Sequence, residues 1–425
     1  MIRLDRIAVY IFIALYVLLI PSTHVPLVKY ADEISYLLLA AIGILDCIIN
    51  RKWRSYRLFW IIVLVMAFYA VYSILFLRYN KPIAIMVDAI VEMKPYVSFA
   101  VLLALAPRFS ESDKQVLRII SVASVVICVL SAFGGYELIR LILFHPAFLG
   151  LTVFFSSMVF LLVNINEDGT IDKKRLYGGV LMILCGLVCT RSKYYGECVL
   201  ALFFLFVWRP GLLKGFNPKH YVGILVMLAL VFVVSWQKID FYFISGTGDA
   251  TRFDPSAVES YARPVLYFTG GLILLDHFPL GSGLASFASN ASISPYSGVY
   301  HEYGIDKVYG LSEAMSDFIC DAYYPSLAQF GIVGLILFVL FFIYVCRVLR
   351  RLLRRDANLY RYYYVIGSLL VCYLLIECIA GTSFSQAPGV MTMMLLGIIC
   401  SREFEQERKD SAHKTENIQS RKKYL

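Results

Sequence analysis

The sequence predicts an all-α protein that crosses a membrane many times. Of its 425 residues, 60% are hydrophobic and only 16% are charged. Soluble domains carry roughly 25% charged residues, so this composition excludes a water-soluble protein. The mean hydropathy is +0.72, and apolar runs close to the ~20 residues that a bilayer requires recur along the chain. Lipid is therefore the predicted solvent for most of the molecule.

Twelve apolar stretches are candidate membrane spans, although several are short for a full crossing. We interpret the first as a retained helix, because no cleavage-site pattern follows it. The chain then divides into a bundle at 1–236, a large loop at 237–325, further spans at 326–401 and a basic tail at 402–425. The approximate bounds of the stretches are 7–20, 34–50, 58–77, 83–106, 116–133, 147–163, 176–190, 196–208, 221–236, 326–346, 362–380 and 389–400.

The distribution of basic residues predicts the orientation. With the N-terminus in the cytoplasm, 28 of the 39 Lys and Arg fall on the cytoplasmic side and ten on the other, with Lys94 inside the fourth span. Cytoplasmic loops attract positive residues, so both termini are predicted to be cytoplasmic. Basic segments such as 347–355 then face the anionic leaflet. This placement explains the net charge of +9 without a nucleic-acid partner.

The loop at 237–325 is the longest connection, and loops of this length are usually functional or folded. It is mildly acidic and rich in Tyr, Ser and Gly, and we expect it on the outer side of the membrane. Within it, the apolar run Tyr261 to Leu275 predicts a helix that lies on or dips into the membrane. The segment 134–146 is a second candidate for a short interfacial or re-entrant element.

Two cations stand where the positive-inside rule disfavours them. Arg191 and Lys193, in the sequence Thr-Arg-Ser-Lys, follow the seventh span at its predicted outer end. A lipid-linked diphosphate suits this position, because Arg offers a planar fork of donors and Lys a compact charge. The alternative is that both side chains extend to lipid headgroups.

Arg263 lies in an apolar stretch, where a lone guanidinium is costly unless it is paired or hydrated. The simpler account is an ion pair with Glu259, one helical turn earlier. We favour a second diphosphate clamp, because two cations would stabilise the charge that develops as a glycosyl bond breaks.

The end of the loop carries candidate acid–base groups. Asp317 and Asp321 are four residues apart, so on a helix they would share a face, and either is able to accept a proton from a sugar hydroxyl. The alternative is that both are merely solvated. His301 is a further candidate for a base or a sugar contact, and Tyr323 for a sugar contact.

Other motifs are interpreted as structural. The segment 276–287 is a Gly- and Pro-rich turn, and the two glycines of Gly331 to Gly334 indicate close packing. Asp88, Glu92 and Lys94 in the fourth span are expected to form a buried network, with a proton relay as the alternative. The histidines and the ten cysteines show no metal-binding spacing and no disulfide framework, so no metal or cofactor is expected.

Taken in order, Thr190 to Lys193, Arg263, the segment 277–287 and the segment 321–334 resemble the Wzy-type polysaccharide polymerase and O-antigen ligase superfamily. This resemblance covers roughly 176–346 by motif and the rest by topology. It implies a GT-C-like membrane glycosyltransferase of the bacterial inner membrane. By motif match, Arg191 and Arg263 would bind the diphosphate of an undecaprenyl carrier.

Ligases of this superfamily carry a His-Asn pair where this chain has Cys320 and Asp321. The difference favours the polymerase branch, which joins lipid-linked repeat units for lipopolysaccharide or exopolysaccharide. Asp321 is then the first candidate for the base and Glu259 the second. A ligase with another acceptor and a precursor flippase or transporter are the alternatives. Expected partners are the lipid-linked oligosaccharide, membrane lipid, a chain-length regulator and a flippase.

Overall fold

The computed structural model describes residues 3–208 apart from 24, 26 and 27, isolated helical positions between 222 and 236, and residues 262–404. Within these ranges the chain is helical and contains no β-strand. The all-α prediction is thus confirmed for the described part of the chain. The ninth predicted span, Glu259 and the basic tail from 405 onward lie mainly or wholly outside it.

We number the thirteen α-helices of nine or more residues in the described ranges; a further, five-residue helix, Gly298–Glu302, lies within the loop. Several begin at recognisable signals: Ser110 and Asp113 form a capping box at the start of α5, and Asp356 accepts two backbone N–H groups at the start of α12. The helices are α1 Leu4–Leu18, α2 Ala31–Ile49, α3 Arg57–Tyr72, α4 Pro82–Leu105, α5 Glu111–Phe133, α6 Gly135–Leu143, α7 Pro146–Val163, α8 Lys173–Cys185, α9 Ser192–Leu202, α10 Ala262–Asp276, α11 Gly331–Arg355, α12 Ala357–Glu377 and α13 Ala387–Phe404.

Six helical segments of the described chain are long and apolar enough to cross a membrane: Arg57–Leu77, α5, α7, Tyr324–Arg355, α12 and α13. The chain is therefore a multi-pass membrane protein by the length and composition of its helices. The other predicted spans differ for identifiable reasons. Helices α1, α8 and α9 are short, while α2 and α4 each carry three ionisable residues.

Two predicted interfacial elements are helices in the structure. The run from Tyr261 to Leu275 corresponds to α10, and the segment 134–146 contains the nine-residue α6. By contrast, the predicted helical face shared by Asp317 and Asp321 is wrong, because residues 313–321 form turns and bends rather than a helix. The nearest regular element is the 3₁₀ helix Tyr324–Phe330, which leads into α11.

Residues 277–330 pack on one end of the helix bundle, which we call the loop end. The turn after α10 is fixed from several helices: Asp88 accepts from the backbone N–H of Ala285 at 2.7 Å, and Ser73 accepts from that of Leu284 at 2.8 Å. The side chain of Asn80 donates to the carbonyl groups of Ala285 and Pro295, both at 2.9 Å. The loop is therefore bonded to the α3–α4 connection and to α4.

Gly331 shows why a glycine begins α11. Its φ is +62°, in the left-handed region that favours glycine, and a Cβ there would overlap the backbone of Pro279, Leu280 and Gly281. The predicted close packing is therefore seen at Gly331, where the backbone of the turn meets the start of α11.

Candidate functional site

The candidate site lies at the loop end, where α7 and α9 begin and α12 ends. Residues from these three helices, from α10 and from the turn before the 3₁₀ helix meet there. The backbone N–H of Tyr323 donates to the carbonyl of Cys378 at 3.1 Å, and the hydroxyl of Tyr267 donates to that of Ile379 at 2.9 Å. These bonds tie α10 and the turn to the end of α12.

Arg191 stands at the first turn of α9, directly after Thr190, whose φ is +53°. Its guanidinium Nη2 lies 3.0 Å from Nε2 of His145, the residue that caps α7. The Nδ1 atom of His145 also faces the backbone N–H of Ala147 at 3.2 Å. A neutral imidazole has one acceptor nitrogen, so it accepts from one of these two donors at a time.

The surroundings of His145 favour its neutral form. Burial lowers the pKa of its imidazole below the ordinary 6.5, and the positive charges of Arg191 and Lys193 lower it further. Asp321 acts in the opposite direction, which places this carboxylate close enough to influence the ring. At neutral pH the ring is therefore available to accept a proton.

Lys193 forms the most buried ion pair of the site. Its Nζ lies 2.5 Å from Oε2 of Glu377 and 3.2 Å from the carbonyl oxygen of Ala380. The Glu377 side chain is only 3% exposed, whereas that of Lys193 is 19% exposed. The ammonium thus connects a buried carboxylate with the more open part of the site. The ammonium of Lys193 binds Glu377, whereas the alternative considered from sequence was contact with lipid headgroups.

Arg263, in the first turn of α10, pairs with Asp321: Nη2 and Oδ2 are 2.7 Å apart. The two side chains are 26% and 31% exposed, so both reach the surface of the site. Asp321 is thus an acidic partner of Arg263 in the described chain, while Glu259, the partner considered from sequence, lies outside the described residues. The predicted base and the predicted second clamp are therefore in direct contact.

The structure brings together four of the eight residues predicted for the site. Arg191 contacts His145, Arg263 pairs with Asp321, and the charges of Lys193 and Asp321 both influence the imidazole of His145. Three cations from two distant segments of the chain thus lie in the same part of the loop end. Such a group can hold a doubly charged anion, with Arg supplying directed hydrogen bonds.

Three other predicted residues have different surroundings. Tyr323 is only 1% exposed and donates to Oε2 of Glu92 at 2.8 Å, so its hydroxyl points into the bundle. His301 is exposed and pairs with Asp306 at 2.7 Å. Asp317 is exposed in a turn. Glu259, the eighth predicted residue, lies outside the described residues.

Three residues of the site were not predicted from sequence. His145 and Glu377 contact the cations directly, and Glu197, one helical turn after Lys193, is buried beside Glu377. Glu197 and Glu377 do carry a signal, because each is an ionisable residue within an apolar stretch. His145 had no such signal, since its approach to Arg191 depends on the packing of α7 against the α8–α9 segment.

The charged residues of α4 belong to a neighbouring network. Lys94 pairs with Asp32 and Glu33 of α2, both at 2.6 Å. Asp88 bonds to the loop and Glu92 to Tyr323. This pattern matches the predicted buried structural network. Among the described residues, no group of three or more His, Cys, Asp or Glu side chains is arranged to hold a metal ion.

No protein-family model matches the chain, and no curated protein matches it at a significant level.

Proposed function

We propose that this protein polymerises lipid-linked oligosaccharide repeat units at the periplasmic face of the bacterial inner membrane. In this proposal the growing glycan leaves undecaprenyl diphosphate and joins the non-reducing end of another lipid-linked unit. The loop end faces the periplasm, and twelve spans in a GT-C-like arrangement leave both termini in the cytoplasm. The sequence resemblance to Wzy-type polymerases is one support for this assignment.

The observation that carries the proposal is the convergence of Arg191, Lys193 and Arg263 at one end of the bundle. Their side chains come from two regions far apart in sequence and meet around His145 and Asp321. Cations that only contacted lipid headgroups would not need a common centre. A diphosphate leaving group, which gains negative charge as the glycosyl bond breaks, matches this arrangement.

Each residue then has a defined task. Arg191 and Arg263 bind the diphosphate, and Lys193 assists from beside Glu377. An acceptor hydroxyl must lose its proton, and Asp321 and His145 are the groups at the site able to take it. Asp321 must first release Arg263 to do so, whereas binding of a diphosphate to Arg263 would free Asp321 for this role.

The test is a chain-extension assay with purified protein in bilayer nanodiscs and lipid-linked repeat units as the sole substrate. A polymerase makes a ladder of products without nucleotide or ion gradient. Arg191→Ala and Arg263→Ala should abolish the ladder at unchanged protein level. The matched control is Arg140→Ala, because Arg140 is exposed on α6 and predicted to lie on the same side of the membrane.

Each other outcome contradicts the proposal. Transfer of a whole glycan to a different acceptor, without a ladder, indicates a ligase. Movement of lipid-linked units across a vesicle membrane without bond formation indicates a flippase. Normal ladders from both arginine variants would remove the proposed site.

A further inference from the structure

Within the described part of the chain, Glu197 is a buried carboxylate that no hydrogen-bond donor reaches. Its side chain projects from α9 one turn beyond Lys193 and is 1% exposed, and no described residue donates a hydrogen bond to either carboxylate oxygen. An ionised carboxylate in this state is costly, because burial removes its hydration and nothing replaces it. The site therefore has an unexplained polar group directly behind its most buried ion pair.

A second carboxylate neighbours Glu197. Glu377 lies within hydrogen-bonding reach of it and already accepts from Lys193 and from the hydroxyl of Ser383. If both were ionised, two negative charges would face the single positive charge of Lys193. Two carboxylates within hydrogen-bonding reach of each other in a low-dielectric interior repel each other strongly when both are ionised.

The other groups around Glu197 do not supply the missing positive charge. Tyr194 and Cys198 from α9, Cys189 before it and Tyr373 from α12 are the further titratable groups that face it. All four are neutral at neutral pH in their ordinary forms. Lys193 is thus the cation that acts on both carboxylates.

We propose that Glu197 is protonated and donates a hydrogen bond to the ionised carboxylate of Glu377. The pair then carries one negative charge, which balances the positive charge of Lys193. The shared proton satisfies Glu197, removes the repulsion and holds Glu377 in its contact with Lys193. Glu197 is then a positioning residue that keeps the ammonium directed to the site. Loss of the proton would leave a net negative charge behind Lys193 and weaken the binding of an anion there.

The shared proton does not depend on the proposed function, but its effect on diphosphate binding rests on that function. Two separate measurements are therefore needed. Infrared spectroscopy of the protein in nanodiscs detects the carbonyl band of a buried protonated carboxyl group. The same samples are titrated with undecaprenyl diphosphate across a pH range. Glu197→Gln keeps an N–H donor for Glu377 but cannot ionise, and Glu197→Ala removes the donor.

We expect Glu197→Gln to lose the protonated-carboxyl band and to keep its diphosphate affinity at high pH, where the affinity of the wild type falls. Glu197→Ala should bind roughly tenfold more weakly, the effect of losing one hydrogen bond to a charged group. The control for the band is Glu92→Gln, which removes the buried carboxyl of the neighbouring network and should leave the Glu197 band in place.

The proposal is overturned if the band of the wild type persists unchanged in Glu197→Gln, or if that variant follows the pH profile of the wild type. If the wild type does not bind undecaprenyl diphosphate at all, the proposed function fails, and the infrared result still decides whether the proton is shared. A misfolded Glu197→Ala protein does not affect either reading of the Glu197→Gln variant.

Discussion

The guanidinium of Arg263 and the carboxylate of Asp321 form a 2.7 Å ion pair at the open part of the site. One residue lies in the first turn of α10, and the other precedes the 3₁₀ helix that leads into α11. The pair therefore couples two roles of the proposed reaction, since the cation for the leaving group neutralises the carboxylate that would accept a proton. An anion that binds Arg263 would release Asp321.

This coupling predicts the effect of Asp321→Asn. Chain extension should fall about 100-fold, the usual contribution of a general base. The thermal unfolding temperature should change little, because a partly exposed ion pair contributes under about 1 kcal/mol. Ladder formation and thermal unfolding measure the two effects. The control is Glu313→Gln, an exposed carboxylate of the same loop. Full activity of Asp321→Asn would exclude Asp321 as the base.

A pH profile tests the role of His145. Burial and the neighbouring cations hold the pKa of His145 below 6.5, so the ring stays neutral at neutral pH and gains a proton only at more acidic pH. We expect the activity of the wild type to fall as the pH drops through that lowered pKa. His145→Gln should lose this acid limb, while His277→Gln, whose ring contacts Tyr79, should retain it. An unchanged acid limb in His145→Gln would exclude titration of this ring.

The ion pair of Lys193 with Glu377 predicts a large effect on stability. Lys193→Met leaves the buried carboxylate of Glu377 without its cation, which should cost about 3 kcal/mol in the free energy of unfolding. Lys114→Met is the matched control, because Lys114 pairs with Glu111, whose side chain is 78% exposed. Thermal unfolding in detergent compares the two. The double variant Lys193→Met with Glu377→Gln should recover part of the loss, and equal effects of both lysine variants would contradict the burial argument.

Gly331→Ala should prevent the turn after α10 from packing on the start of α11. The added methyl group would overlap the backbone at Pro279 and Gly281, and the positive φ adds strain. We expect little folded protein in size-exclusion chromatography. In the control, Gly271→Ala, the added Cβ meets no atom within 4 Å, and this helical position should gain roughly 0.5–1 kcal/mol. Similar yields of both variants would contradict the close approach.

The sequence was sufficient for the helical class and for many helix positions, because apolar runs of bilayer length and end signals are local properties. The α10 helix is an example, since its apolar run and the following turn residues lie within one segment. The membrane spans were harder to define. Helices α2 and α4 carry ionisable groups that bond to each other or to the loop only in the folded bundle.

The candidate site was predicted in part for the same reason. Arg191, Lys193 and Arg263 are conspicuous because a cation in an apolar context is costly wherever it occurs. Their partners depend on which helix ends meet, and no local pattern connects His145 with Arg191 or Glu377 with Lys193. The inward packing of Tyr323 against Glu92 was missed for a similar reason: its position in a polar-looking loop gave no sign of it.

The contact of Lys94 with Asp32 and Glu33 has a consequence for biogenesis. Chains are made from the N-terminus, so both acidic residues reach the membrane before the lysine that balances them. A nascent chain that ends before α4 would hold two carboxylates without their ammonium, and burying them there would be unfavourable. Stable burial of the acidic start of α2 therefore requires α4.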